Sequence, residues 1–207
     1  MRGRHKAWAA PYMAEHNDIV REALSSEDKF FSFAPLYLEV GIGKGDFIVG
    51  MAQKFPGHYL GLEKEVSIAG MAARKVVESG LDNVIIRCGD FDFVYEEIKD
   101  VKFDGMYLNF SDPWPKKKHA KRRLTFAPRL EKFFALIKEG GFLKIKTDND
   151  ILYEFTKEEL VKTKFKVVKI MDDYPVDEVN DVQSEYERNF RSLGQPIHRI
   201  ECIKEGE

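Results

Sequence analysis

The sequence predicts an α/β fold in which a mostly parallel, seven-stranded sheet carries helices on both faces. Two observations predict it: β-rich runs alternate with longer amphipathic stretches, and glycine or proline separates most of them. The seven predicted strands are residues 36–40, 58–62, 84–87, 105–110, 142–146, 165–171 and 197–203. The predicted helices are residues 47–55, 66–79, 128–138 and 149–162.

The ends of the first elements are marked by turn residues. The first strand runs into a glycine-rich turn, and the first helix stops before Pro56-Gly57. The second strand follows that turn directly. The second helix is closed by Gly80, a residue that readily takes the left-handed conformation found after helix ends. The third strand comes next, so a strand–helix–strand alternation is established early in the chain.

The later elements are marked in the same way. The third helix, after the fourth strand, places Leu130, Phe133 and Ile137 on one face and ends at Gly140-Gly141. The fifth strand is followed by a helix for which Asp148 or Asn149 is the expected N-cap. Two segments, 111–125 and 172–195, interrupt this alternation and are predicted as long loops, which in a compact domain usually serve function.

Composition favours one domain without a membrane segment. Of 207 residues, 43% are hydrophobic and 33% charged, which is ordinary for a globular protein. We expect a single domain over 1–207, with a basic arm and helix at 1–30 and a core at 31–207 that carries the chemistry. No run is apolar enough to span a bilayer, and Pro11 and Glu15 interrupt the stretch that would form a secretory signal. We therefore expect a cytoplasmic protein.

The distribution of basic residues favours a nucleic-acid partner, and the spacing of cysteines and histidines argues against a metal site. The net charge is −2, yet residues 116–123 hold six cations in eight positions, and Arg2, Arg4 and Lys6 form a second basic cluster. Such local charge suits phosphate contacts. The two cysteines, Cys88 and Cys202, and the five histidines show no metal-ligand spacing, so no metal is expected.

A glycine-rich turn follows the first predicted strand. In E-V-G-I-G-K-G, Gly41 and Gly43 allow the backbone to turn sharply and approach a ligand closely. Position 46 is Asp, which breaks the dinucleotide-binding pattern and argues against a nucleotide-dependent oxidoreductase. The run resembles motif I of Rossmann-like methyltransferases, where Glu39 would suit the cationic amino-acid part of S-adenosylmethionine.

Two further acids end the next predicted strands. Glu63 lies where an acid can accept hydrogen bonds from both hydroxyls of a ribose. Asp90, in Cys-Gly-Asp-Phe, resembles the residue that contacts adenine in methyltransferases of this type. Because parallel strands end at one edge of a sheet, these two acids and Glu39 are expected to meet in one crevice.

The run N-F-S-D-P-W-P follows the fourth predicted strand. Asp112 and Trp114 each precede a proline, which favours extended backbone at both, and the prolines fix their own φ angles. We therefore predict a stiff loop that could hold a base within reach of a cofactor.

The string D-P-W-P-K-K-K-H-A-K-R-R-L, at 112–124, resembles the signature of bacterial tRNA (guanine-N7-)-methyltransferases. The G-L-E at 61–63, G-D at 89–90 and S-E-Y-E at 184–187 fall in that family's order. The resemblance implies a Rossmann-like methyltransferase that uses S-adenosylmethionine to methylate tRNA, at the variable-loop guanine. It also implies that six residues contact the cofactor: Glu39, Gly41, Gly43, Glu63, Asp90 and Asp112.

The same resemblance assigns catalysis and substrate contacts. Asp112 would be the catalytic residue. The residues implied to meet the RNA substrate are Lys116, Asp148, Ser184, Glu185, Tyr186 and Glu187. The family usually has Thr at the first position of the last motif, whereas this chain has Ser184, which keeps the hydroxyl.

The chemistry explains the lack of a nucleophile constellation. Guanine N7 carries an in-plane lone pair and needs no general base, so the enzyme must mainly align the reactants and exclude water. Positive charge develops on the base, and a carboxylate nearby would stabilise it. Asp112, Asp148 or Glu187 could accept hydrogen bonds from guanine N1–H and the 2-amino group.

Two other functions remain open from the sequence: a methyltransferase acting on another RNA, a protein or a small molecule, and a non-catalytic RNA-binding module of the same fold. The sequence leaves the oligomeric state undecided between monomer and homodimer.

Overall fold

The computed structural model describes residues 5–206 and contains an eight-stranded sheet. The strands are β1 Val20–Arg21, β2 Leu36–Val40, β3 His58–Glu63, β4 Val84–Cys88, β5 Phe103–Asn109, β6 Ile137–Thr147, β7 Lys166–Met171 and β8 His198–Ile203. Their order is β1-β4-β3-β2-β5-β6-β8-β7. Neighbours from β1 to β6 are parallel, and β8 is antiparallel to both β6 and β7. The predicted mostly parallel sheet is confirmed.

The sheet has one strand more than the seven predicted. The additional strand, Val20–Arg21, pairs in parallel with β4 at the sheet's edge. Two residues are too few to produce an alternating pattern, so periodicity gave no signal there. The third predicted helix also ends two residues early, because Ile137 begins β6 and pairs with Phe103.

Seven α-helices flank the sheet within residues 5–206. They are α1 Ala9–Glu15, α2 Asp46–Lys54, α3 Val66–Glu78, α4 Phe91–Ile98, α5 Ala127–Leu136, α6 Asp150–Leu160 and α7 Glu185–Ser192. The last lies inside the segment predicted as a long loop. Its sequence is mostly charged and polar, and its apolar stripe is reduced to Tyr186 and Phe190, one turn apart, so the S-x-x-E capping pattern at 184–187 was the clearer signal.

The helices lie on both faces of the sheet, as predicted. Leu38 and Met106 on one face pack with Phe133 of α5 in a single buried cluster. Their sequence neighbours point to the other face, where Tyr107 packs with Ala72 of α3. This alternation is the normal consequence of strand geometry, and it leaves the strand ends free to form a site.

The segment before the sheet packs against α3. Ala9 approaches so closely that a Cβ on Gly70 would lie 2.5 Å from the Ala9 Cβ. The backbone N–H of Lys6 donates to Ser67 Oγ at 2.9 Å, near the start of α3. Arg2 and Arg4 of the predicted basic arm lie outside the described residues. Within 5–206, no helix is both long and apolar enough to cross a membrane.

Candidate active site

The carboxyl ends of six parallel strands, β1 to β6, lie along one edge of the sheet. In the paired register Glu39 lies beside Gly61 of β3 on one side and Tyr107 of β5 on the other. Glu63 is the last residue of β3, and Asn109 is the last residue of β5. The structure therefore brings the predicted strand-end acids to one place.

Glu39 has a buried carboxyl group, one oxygen of which lacks a hydrogen-bond partner among the described residues. Its side chain is only 4% exposed, and its Oε1 accepts a hydrogen bond from Asn109 Nδ2 at 2.9 Å. Its Oε2 has no partner among the described residues. Burial raises the pKa of Glu39 to about 8. A buried, half-satisfied carboxylate is costly, so the arrangement fits a ligand that supplies a cationic hydrogen-bond donor.

Glu63 holds the glycine turn in place. Its Oε2 accepts from the Gly43 N–H at 3.1 Å, and its Oε1 accepts from the Glu65 N–H at 3.0 Å. Gly41 and Gly43 have φ angles of 83° and 56°, which side chains rarely adopt. Burial raises the pKa of Glu63. Each carboxylate oxygen can accept a second hydrogen bond, so contact with ribose hydroxyls remains possible.

Asp90 lies two residues after β4 and is the N-cap of α4. Its Oδ1 accepts from the Asp92 N–H at 3.0 Å, which caps the helix. The preceding residue, Gly89, donates its N–H to the Glu63 carbonyl at 2.9 Å. Asp90 itself is exposed at the site's edge. Its contact with adenine stays a prediction.

The loop after β5 has an unusual backbone. Phe110 and Trp114 have φ angles of 53° and 41°, in the left-handed region that non-glycine residues avoid. The prediction of an extended Trp114 is therefore wrong. Tertiary contacts outweigh the local preference, because Arg123 donates from Nε to the Pro113 carbonyl at 2.9 Å and from Nη2 to the Trp114 carbonyl at 3.0 Å. Strained backbone of this kind is concentrated at functional sites.

Asp112 projects from this loop toward the end of β3. Its side chain is 63% exposed and forms a 3.0 Å ion pair with Lys64, the residue after Glu63. The same ammonium lies 5.8 Å from the centre of the Trp114 ring. Sequence reasoning missed Lys64; its position immediately after a predicted ribose-binding acid was the only signal.

Lys116 and Asp148 follow neighbouring strands. Lys116 is exposed and precedes a short 3-10 helix, Lys117–Arg122. Asp148 follows β6, which pairs with β5, and burial raises its pKa. Asn149, rather than Asp148, caps α6, with Oδ1 accepting from the Leu152 N–H at 2.9 Å.

The S-E-Y-E segment lies on the glycine turn. Lys44 Nζ is 2.8 Å from Glu185 Oε1, although the two residues are 141 positions apart. A Cβ on Gly43 would lie 3.4 Å from the Tyr186 ring, which is 47% exposed. The structure thus places the two distant motifs in contact.

Ser184 and Glu187 make intramolecular contacts. Ser184 Oγ accepts from the Glu187 N–H at 3.1 Å and caps α7. The Glu187 carboxylate is 1% exposed and lies 2.7 Å from Lys146 Nζ, which is also 3.1 Å from Asp181. Their predicted substrate contacts stay predictions. Sequence reasoning missed Lys146 and Asp181, although a lysine in a central strand was a signal.

The described residues offer no grouped metal ligands. Between residues 5 and 206, no three His, Cys, Asp or Glu side chains are grouped so that they could hold a metal ion. Cys88 is half-buried and Cys202 buried, and neither forms a disulfide. Metal independence stays an expectation.

Comparison with known proteins identifies the family. A family described as "Putative methyltransferase" matches residues 33–200. A tRNA (guanine-N(7)-)-methyltransferase of Limosilactobacillus reuteri is 38% identical, covering 97% of this chain and 98% of the relative. One of Exiguobacterium is 37% identical, covering 98% of each.

Solved structures show the same fold. A 16S rRNA methyltransferase has a TM-score of 0.66 at 14% identity, covering 90% of this chain and 96% of that one. A SAM-dependent O-methyltransferase of Thermotoga maritima has a TM-score of 0.58 at 17% identity, covering 100% and 68%. The fold is a Rossmann-like methyltransferase fold, and the sequence relatives show that the chain belongs to the tRNA (guanine-N(7)-)-methyltransferase family.

Proposed function

We propose that this protein transfers the methyl group of S-adenosylmethionine to N7 of a guanine in tRNA, forming 7-methylguanosine. One observation carries the proposal: the loop with Asp112 and the helix after Ser184 lie at the same sheet edge as the strand-end acids. These segments carry the family resemblance, and the relatives at 38% and 37% identity bear the same enzyme name.

The cofactor's chemical contribution is an electrophilic methyl group on a sulfonium. Glu39 would receive its ammonium group, because Glu39 Oε2 is buried without a partner. Glu63 would accept from the ribose hydroxyls, and Asp90 would contact the adenine. Gly41 and Gly43 leave the backbone of the turn free of side chains, so a ligand can approach it closely.

The protein's own contribution to catalysis is alignment and electrostatics. Guanine N7 already has an available lone pair. The residues of the protein therefore need only hold the base, exclude water and place a carboxylate near the developing positive charge. Asp112 and Asp148 are better placed for this than Glu187, which is enclosed by Lys146. We therefore assign the guanine edge to Asp112 and Asp148, and give Asp112 the catalytic role.

The RNA would lie over the basic segment and α7. Lys116, Lys117 and Lys118 are exposed beside the Asp112 loop. Ser184 would help by fixing the start of α7, while Glu185 and Tyr186 are exposed on its surface. The variable-loop guanine is the proposed target and the cytoplasm the proposed location, and no metal is assigned to the reaction.

The proposal is tested by incubating tRNA with methyl-labelled S-adenosylmethionine and analysing the nucleosides after digestion. We expect label in 7-methylguanosine, and none when the variable-loop guanine is replaced by adenine. Label in another nucleoside or in protein would favour a different methyltransferase. Absence of cofactor binding by calorimetry would favour a non-catalytic RNA-binding module.

A further inference from the structure

We infer that Arg123, the last cation of the basic segment, is a positioning residue that shapes the Asp112 loop rather than an RNA phosphate ligand. The inference rests on the proposed function. It separates Arg123 from the cations around it, which share its motif but not its environment.

Burial is the first observation. Lys117, Lys118, Lys121 and Arg122 are exposed, whereas Arg123 is only 3% exposed. A side chain that neutralises a phosphate must reach the surface on which the RNA lies. Arg123 therefore differs from its neighbours in the property that phosphate binding requires.

The contacts of its guanidinium are the second observation. Nε and Nη2 donate to two successive carbonyls, those of Pro113 and Trp114, at 2.9 and 3.0 Å. The guanidinium also lies 4.3 Å from the centre of the Phe155 ring. A planar fork can bind two adjacent carbonyls at once, and the single ammonium of lysine cannot reproduce that geometry.

These contacts act on the strained part of the loop. Trp114 has a φ of 41°, which costs free energy and persists only where surrounding contacts enforce it. Asp112 is two residues earlier and is held otherwise by one exposed ion pair with Lys64. Arg123 thus fixes the backbone that aims the catalytic carboxylate.

A second arginine holds Arg123 in turn. Arg129 Nη1 donates to the carbonyls of Lys121 and Arg123 at 2.6 and 3.1 Å. Its Nη2 donates to Asp92 Oδ2 at 2.7 Å. Asp92 belongs to the helix that Asp90 caps, so the loop that bears Asp112 is tied to the cofactor side through two arginines.

The test compares Arg123→Lys and Arg123→Met with Lys121→Met as the matched control. A phosphate ligand lost from the protein lowers the slope of log affinity for tRNA against log salt by about 0.9. We expect that decrease for Lys121→Met only. For both Arg123 variants we expect an unchanged slope, and a methylation rate at saturating tRNA that falls about tenfold or more, because the carboxylate is misaimed.

Two further measurements test the inference if the Arg123 variants fold poorly or if the protein shows no activity. Asp92→Asn leaves Arg123 intact but weakens the anchor of Arg129, and should lower the saturating rate about threefold without changing the salt slope. The chain has two tryptophans, so Trp8→Phe leaves Trp114 as the only fluorescent tryptophan. In that background, Arg123→Lys should shift the emission of Trp114, whereas Lys121→Met should leave it unchanged.

Two other outcomes would contradict either the inference or the proposed function. A slope lowered by about 0.9 in Arg123→Lys or Arg123→Met, with unchanged rate and Trp114 emission, would overturn the inference. Failure of the wild-type protein to form 7-methylguanosine would instead refute the proposed function, and the fluorescence comparison would still decide the role of Arg123.

Discussion

The strand-end acids, which form the proposed cofactor side of this site, and the Asp112 loop, which forms the proposed RNA side, are built differently. Glu39 and Glu63 are 4% and 9% exposed and held by fixed hydrogen bonds. On the other side, the side chain of Asp112 is 63% exposed and has one lysine beside it. A small cofactor suits buried side chains that are already held in place, whereas a tRNA needs an open surface.

The buried ionic cluster under α7 links the two sides. Lys146 lies 3.1 Å from Asp181 and 2.7 Å from Glu187, and Arg199 lies 2.6 Å from Asp181. Buried ion pairs add little net stability, since the cost of removing charges from water offsets their attraction. Their value here is geometric, because they fix the helix whose Tyr186 contacts the glycine turn.

Among the predictions that test this contrast between buried and exposed charges, Glu187→Ala should have the greatest effect. It leaves Lys146 with one fewer buried counter-charge, so the free energy of unfolding should fall by about 3–5 kcal/mol. Glu185→Ala is the matched control on the same helix. It removes a half-exposed ion pair and should cost less than about 1 kcal/mol. Equal losses in denaturant unfolding would contradict the contrast between buried and exposed charges.

A second effect concerns Asp112. Asp112→Ala should lower kcat about 100-fold or more, because under the proposed function it removes the charge that would face the methylated base. Unfolding free energy should change by no more than about 0.5 kcal/mol, since the side chain is exposed. Rapid-quench kinetics with saturating tRNA measure the first quantity, and thermal unfolding the second. Turnover near that of wild type would show that another acid performs the role.

The most modest prediction is that Glu39 releases a proton when the cofactor binds. Its pKa of about 8 means that it is protonated near neutral pH before the cofactor binds. Binding a cation favours the ionised form, so affinity should rise with pH up to about 8. At about pH 6.5 the cofactor's amine, with an ordinary pKa of about 7.7–8.0, is already protonated, and close to one proton should be released.

Calorimetry in buffers of different ionisation enthalpy counts that proton. Glu39→Gln is the control and should release none, with weaker binding. If the wild-type protein also released none, Glu39 would keep its protonation state on binding, which would contradict ionisation of a carboxyl with a raised pKa by a cationic ligand.

Much of the site could be read from local sequence. Glu63 ends β3 and Asp90 lies two residues after β4, and parallel strands bring their ends to one edge. The D-P-W-P string identified the family by resemblance, and the relatives confirm that identification. The segments predicted as loops were harder, because α7 is short and mostly charged, with only Tyr186 and Phe190 as apolar residues.

Local sequence patterns were enough to predict the mostly parallel sheet, the glycine turn at Gly41 and Gly43, and the family, because each depends on residues close together in the chain. Only the folded structure shows that Trp114 is left-handed, that Arg123 is buried and that Glu187 pairs with Lys146. The reason is that a charged residue's environment depends on what the fold brings beside it. Identical cations in one motif can therefore face solvent or hold a loop.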